Sequence, residues 1–500
     1  MMKLFKSLHI DPVVMSLSLL FLLVFTLPLL VFPQESYEVF KTLQNEWVRP
    51  MGVVFQIMAI LIFGMNVFLI FCRKSNVILW NEGQKFSNFS WATMIFCAGV
   101  ATGVIYWGSL EWAYYFITTP LGLEKNSVEA IEMASVYGAF HWGIAGWGFY
   151  TIPAVAMLMV LRNNSKVNFS ISAIFEHFTI FRKYPFLNKW VDVFIIVALL
   201  GSTGTSMGLG IPMVATAVAE VLGIENTFSL QLVLIVVCSV IFSVSAYLGL
   251  GKGIKKLSNL NSWLAFVFLV LIILLGPTLF ILKMSVNGLG LMITQMVRML
   301  TWTDPILQTG FVEEWTVFYW AWWLAVGPFM GLFIARISSG RSIFQVVSGT
   351  LLLGSMGSMV FFFVLGNHGI NLQLSGGLDI VGMIQNNQPT EAIVQMIQSL
   401  PLGKYLLYGF CVMSIVFVAT SFDSTSYVIA NAASKKLTHQ GKPNKWHVLF
   451  WGIILILIPL AVMGVGGLDS LKLTVIISAL PMLFIYTAIL YTISKFYKSL

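Results

Sequence analysis

The sequence predicts an all-α integral membrane protein with twelve transmembrane helices. Three observations lead there. Of its 500 residues 58% are hydrophobic and 10% charged, with a mean hydropathy of +0.88; the apolar runs have helix length; and the basic residues gather on one side of those runs. In lipid the backbone must satisfy its own polar groups, which leaves helical bundles and closed barrels. Barrel strands need only about 10 residues; these runs are much longer, so the bundle is expected.

Taken in order, residues 1–89 hold two leading helices, at roughly 13–32 and 52–72. The first run lacks a small-residue cleavage motif and is followed by more spans, so it reads as an uncleaved helix. Residues 90–284 carry five spans, at about 91–117, 135–161, 190–222, 229–250 and 258–283. The stretch 285–312 is a connecting outer segment: GLGLMITQMVRML has apolar residues at helical spacing but is short and close to Arg298, so it is expected on the outer surface or as a gate element. Residues 313–500 carry five further spans, at about 315–337, 343–368, 403–434, 446–467 and 472–497. Between the second and third of these, residues 370–400 read as an outer loop ending in a short amphipathic helix. Several spans exceed the ~20 residues that a bilayer requires, so tilts or breaks are expected. No polar stretch is long enough for a separate soluble domain.

Sorting Lys and Arg onto alternate sides of these spans places 21 of the 28 on one side and 7 on the other, so both termini are expected in the cytoplasm. The short cytoplasmic loops account for the net charge of +8, which therefore gives no support to nucleic-acid binding. Cys72, Cys97, Cys238 and Cys411 lie in or beside spans without CxxC spacing, against disulfides or a metal site.

The third and eighth spans begin the two sets of five, and each carries a glycine/proline interruption: GVATG, with Gly99 and Gly103, and GPFMG, with Gly327, Pro328 and Gly331. Matching breaks point to an inverted-repeat transporter with a site at the membrane midplane. The competing reading is that small residues simply let helices pack closely.

The aromatic residues suggest what such a site would take. WTVFYWAWWLAVGPFMG, 315–331, concentrates aromatics in one run, and the fourth span opens with HWGIAGWGFY, 141–150. Trp142 and Trp147 are five residues apart, about 140° around an ideal helix, so converging their rings requires local bending that Gly143, Gly146 and Gly148 allow. A quaternary ammonium is weakly hydrated and cannot donate strong hydrogen bonds, so a box of aromatic faces suits it. Trp142, Trp147, Tyr150, Trp322 and Trp323, with Tyr114, are the candidates. Trp315 and Tyr319, nearer the span end, read as interfacial belt residues.

In the tenth span FVATSFDSTSY, 417–427, puts Thr420, Ser421, Asp423, Ser424 and Thr425 into an apolar run. Hydroxyls and unwound carbonyls are hard oxygen ligands for a cation such as Na⁺; equally, the hydroxyls could bond back to their own helix while Asp423 anchors packing. His141 reads as a packing or hydrogen-bonding residue. No catalytic constellation or phosphate loop is evident, against an enzyme.

At these residues the sequence resembles the betaine/carnitine/choline transporter family. FYWAWW at 318–323 with ARISSGRS at 335–342, HWG at 141–143, GKGI at 251–254 and TSFDS at 420–424 match its signatures in order; YWGSLEWAYYF at 106–116 and RMLTWTDP at 298–305 look like its carnitine/γ-butyrobetaine antiporter branch. The resemblance implies a LeuT-like fold with two inverted five-helix repeats after two leading helices, a bacterial-type inner-membrane location, and assembly as a trimer. It places Tyr114, Trp142, Trp147, Trp322 and Trp323 in the substrate cage, with Tyr150 beside it. For sodium-coupled members it implies Na⁺ held by the carbonyls of Cys97, Val100 and Phe417 and the hydroxyls of Thr420 and Ser421, and less securely a second site at Thr203 and Phe329.

Departures from the family pattern bear on coupling and substrate. The sodium-independent antiporters lack the Thr-Ser pair and carry Arg where this chain has Asn261; keeping Thr420 and Ser421 favours Na⁺ symport. Val326 stands where many relatives have Trp or Tyr, altering one wall of the cage or pathway. Choline carriers tend to have Asp at the position of Gly103, so its absence favours a zwitterion such as betaine or carnitine, with choline, taurine and ectoine left open. The short KFYKSL end contrasts with the long charged tail of osmotically regulated members, which favours nutrient uptake. Na⁺-independent exchange is the competing mechanism, and a solute-binding membrane sensor or channel the competing class.

Overall fold

A computed structural model of the chain describes residues 10–84, 86–98, 102–164, 169–248, 254–434, 443–465 and 468–500. These are helical almost throughout. Asp11 starts the first helix, α1 (Pro12–Val31): its Oδ1 accepts the N–H groups of Val13 and Val14 at 3.0 and 3.3 Å, and Pro12 occupies the first turn, where no amide donor is needed. Next come α2 (Pro33–Phe71), α3 (Asn88–Ala98) and α4 (Thr102–Ile117). Ser127, accepting from Ala130 N–H at 3.1 Å, opens α5 (Val128–His141), which is followed by α6 (Ile144–Asn163). The long α7 (Phe186–Leu222) closes on Gly223, whose φ of 64° is the left-handed conformation glycine adopts without strain. Then follow α8 (Phe228–Leu248), α9 (Ile254–Leu275), α10 (Thr278–Thr301), α11 (Val312–Ile337) and α12 (Ile343–Leu374). The last elements are α13 (Gly403–Ala432), α14 (Lys445–Leu455, continuing as Leu457–Val465) and α15 (Leu468–Ser499).

Among the described residues ten helices, α5 and α6 counting together as Val128–Asn163, are long and apolar enough to cross a membrane, and eleven if α3 and α4, bent by 56°, count as one span. Asn259–Leu275 and Lys445–Ala461 are apolar but shorter. This is a multi-pass membrane protein. The most apolar window of Val128–Asn163 is 94% buried, against 33% for α1 and 28% for Phe228–Ser245, so α5 and α6 form the centre and α1 and α8 the lipid-facing periphery. The most extensive packing is of α11 on α6, and α7 packs on α13 and α15. As expected, the 370–400 segment ends in a short helix, Pro389–Gln398, that buries Ala392, Ile393, Val394, Met396 and Ile397.

Two expectations fail. The span expected over 258–283 ends at Leu275, because Pro277 cannot donate to the ladder and disfavours helix at Gly276 before it. A separate 24-residue helix, α10, starts at Thr278 and includes the expected outer segment; it carries Lys283 and Arg298 and is mostly exposed. It packs against α5, and the Trp302 carbonyl at its end accepts Gln56 Nε2–H of α2 at 2.8 Å.

The second concerns the eighth span. No break occurs at Gly327, Pro328 or Gly331: α11 runs through all three, and the close-packing reading holds there. A Cβ at Gly327 would lie 1.8 Å from the Tyr486 hydroxyl, and one at Gly331 would lie 2.5 Å from Pro153, so these glycines let α15 and α6 approach. The interruption of the third span corresponds to the 56° bend between α3 and α4; Gly99 and Val100 lie outside the described residues.

Candidate functional site

The helix break that matters lies between α5 and α6. Trp142 follows α5, and Gly143, with ψ −146°, leaves the helical region before α6 begins. A Cβ at Gly143 would meet the Ala139 carbonyl at 2.4 Å, so the turn requires glycine. It is a local departure from helix between Trp142 and Trp147, where bending was expected, and both indoles reach Trp323 of α11, with ring centroids at 5.8 and 6.1 Å. Trp142 also meets Trp322 at 6.0 Å, and Tyr150 meets Trp323 at 4.7 Å and Trp147 at 5.1 Å. Five of the six predicted aromatic residues thus form one buried group.

Hydrogen bonds fix its walls. Trp323 Nε1–H donates to the His141 carbonyl at 2.9 Å, and Trp147 Nε1–H donates to Ser358 Oγ at 3.0 Å. A Cβ at Gly103 would lie 3.6 Å from both Trp142 and Trp322, so the start of α4 faces the same rings.

Tyr114 lies elsewhere. It is eleven residues beyond Gly103, roughly 16 Å along a helix, and its ring contacts are Trp107 at 6.1 Å and Trp315 at 5.1 Å. This second cluster joins the first through Tyr319, which lies 6.1 Å from Trp107 and 5.7 Å from Trp142. Trp315 and Tyr319 were expected in an interfacial belt; both are buried instead, because α11 starts beneath α4 and α5 and their rings pack inward.

Sequence reasoning missed the polar network beneath Tyr319. Glu111, wholly buried, accepts hydrogen bonds from the Tyr115 and Tyr319 hydroxyls. His141 Nδ1 lies 3.0 Å from the Tyr115 hydroxyl and 3.4 Å from Glu111 Oε1, and its Nε2 lies 3.2 Å from Thr316 Oγ1, in line with the hydrogen-bonding role expected of it. A carboxylate inside an apolar run, one turn from a tyrosine, was the available signal. Lys472 of α15 was missed too; its ammonium lies 3.4 Å from the Trp315 ring centroid.

The predicted cation ligands gather in part. On α13 the Phe417 carbonyl accepts from Thr420 Oγ1 at 2.8 Å and from Ser421 Oγ at 3.1 Å, the back-bonding arrangement foreseen as an alternative. Asn261 of α9 donates to Thr420 Oγ1 at 3.2 Å. Asp423 accepts from Ser245. Cys97, a free and half-buried thiol, lies one residue before the end of α3, and Val100 falls outside the described residues. Thr203 Oγ1 lies 3.2 Å from Thr425 Oγ1, while Phe329 is half-buried against the core.

The sequence profile of the betaine/carnitine/choline family transporters matches residues 13–499. The chain belongs to this family. It is 31% identical over 429 residues to the uncharacterised transporter YeaV of Escherichia coli K12, covering 86% of this chain and 89% of that protein. It is 29% identical over 473 residues to the carnitine transporter of Acinetobacter baumannii ATCC 19606, covering 94% of this chain and 85% of that protein. Members of the betaine/carnitine/choline family are transporters and not enzymes.

Proposed function

We propose that the chain is a secondary active transporter that takes up a zwitterionic quaternary ammonium compound, of the glycine betaine or carnitine type, together with Na⁺ by alternating access. The observation that carries this reading is the convergence of Trp142, Trp147, Tyr150, Trp322 and Trp323 at the Gly143 break. Aromatic faces attract a methylated ammonium that hydrogen-bond acceptors cannot grip. A relative named as a carnitine transporter supports the substrate class. Gly103 supports a zwitterion over choline, since a carboxylate side chain there would reach the same rings.

For Na⁺ the supporting oxygens are those of Phe417, Thr420 and Ser421 on α13; the carbonyl of Cys97, near the end of α3, and that of Val100, outside the described residues, would complete the set. Thr203 and Phe329 would form a weaker second site. Twelve spans arranged as two LeuT-like inverted repeats, with both termini on the cytoplasmic side of a bacterial inner membrane, complete the reading.

Uptake of labelled betaine or carnitine into proteoliposomes is expected to collapse without an inward Na⁺ gradient. Equal uptake in potassium would remove the symport. The second reading, Na⁺-independent exchange, is favoured by the return of both α13 hydroxyls to their own helix; it predicts uptake only into vesicles preloaded with substrate.

A further inference from the structure

Between Trp147 and Tyr150 the α6 backbone carries two carbonyls, those of Gly148 and Phe149, that side chains of other helices hold. The Phe149 carbonyl has lost its helical donor, because the residue four positions on is Pro153, which has no N–H. Phe149 is wholly buried, so water does not replace that donor. It comes from α15 instead: the Tyr486 hydroxyl, itself buried, donates to the Phe149 carbonyl at 2.8 Å. Gly327 of α11 leaves the space for this approach. A Cβ there would lie 1.8 Å from the Tyr486 hydroxyl and 3.0 Å from the Phe149 carbonyl oxygen. Pro153, Gly327 and Tyr486, far apart in sequence, are thus explained by one hydrogen bond.

The neighbouring carbonyl is held from α2. Asn66 Nδ2–H donates to the Gly148 carbonyl at 3.1 Å and to that of Ile62, on its own helix, at 2.8 Å, while its Oδ1 accepts from the Thr151 hydroxyl. The place of these bonds distinguishes them from ordinary packing. Trp147 and Tyr150 flank the two carbonyls, and their rings meet Trp323 at 6.1 and 4.7 Å. An unpaired carbonyl in an apolar interior draws its turn toward any donor in reach, and a shift of this turn moves both rings.

We infer that Tyr486 is a positioning residue: through the Phe149 carbonyl its hydroxyl fixes the turn of α6 that presents Trp147 and Tyr150 to the solute. The inference rests on the transport reading above and adds to it a residue outside the aromatic group. Because α15 also packs on α7 and α11, the same bond ties this turn to helices beyond α6.

The test measures binding of glycine betaine and carnitine to the purified full-length protein by tryptophan fluorescence and calorimetry, for wild type, Tyr486→Phe, Pro153→Ala and the double variant. Tyr486→Phe keeps the ring and removes the hydroxyl. It is expected to weaken binding about fivefold, the equivalent of one ordinary hydrogen bond. Pro153→Ala returns an N–H to the Phe149 carbonyl, so in that background removal of the hydroxyl is expected to change affinity less than about twofold. Unchanged affinity in Tyr486→Phe, even with a lower melting temperature, overturns the inference, and so does an equal loss in both backgrounds; the transport reading survives either result. Should Tyr486→Phe alone not yield folded protein, the double variant decides: the restored N–H is expected to return a folded protein that binds as Pro153→Ala does, and its failure to fold or bind overturns the inference. Wild-type protein that is folded yet binds neither solute overturns the transport reading as well.

Discussion

Trp323 is the residue on which the proposed substrate site turns. It touches Trp142, Trp147 and Tyr150, and its N–H is anchored on the His141 carbonyl at the helix break. Trp323→Leu is therefore expected to abolish measurable uptake of labelled betaine or carnitine while the protein elutes and melts like wild type; normal affinity would remove Trp323 from the site. Glu111 has the opposite profile. Replacing it with Leu leaves the Tyr319 hydroxyl buried without its acceptor, at about 1–3 kcal/mol, and leaves Tyr115 with His141 Nδ1 as its remaining partner. A clear drop in the thermal midpoint is expected, with a smaller one for Glu111→Gln, which keeps an acceptor oxygen. The aromatic members of the site were legible in the sequence because Trp is rare and clustered here. Glu111 and Lys472 were legible only as charges in apolar runs, and what they face depends on helices distant in sequence.

At the scale of the element, the α5–α6 junction does what the sequence asked of it and α11 does not. Gly143 ends one helix and starts the next, and Gly143→Ala is expected to weaken substrate binding at least tenfold, because its methyl group would push against the Ala139 carbonyl and swing Trp142 out of line. Isothermal titration with the wild-type substrate is the check; unchanged affinity would mean that the turn tolerates a side chain. GPFMG had the same composition as a break yet stays helical. One lost hydrogen bond at Pro328 is tolerable when Tyr486, Phe149 and Pro153 pack against the glycines beside it. Gly and Pro in a membrane helix signal close approach as readily as unwinding, and the neighbours decide between them.

For the whole molecule, the distribution of Lys and Arg gives the orientation its test. Lys125 and Lys404 are exposed on the side expected outside, and Lys183 on the side expected inside. In a background without Cys72, Cys97, Cys238 and Cys411, single cysteines at positions 125 and 404 are expected to react with an impermeant maleimide in intact cells, and one at 183 only after lysis. Labelling of position 183 in intact cells would invert the orientation or change the number of spans. α10 makes this worthwhile: it is long enough to cross the membrane, yet crossing would place every later loop on the opposite side from that given by the positive charges.

The sequence by itself determined the class of the protein, the helical bundle and the residues that form the aromatic group, because lipid admits few backbone solutions and Trp-rich runs are specific. Tertiary structure alone decided which aromatics meet. Tyr114 falls in a second cluster with Trp107 and Trp315, on which Lys472 rests, and Trp315 and Tyr319 are buried, since these contacts are made between α4, α11 and α15, whose relative placement no local pattern encodes. The opening feature expected in α11 became a packing seam for the same reason: a glycine reports that something comes close, and only the fold says what.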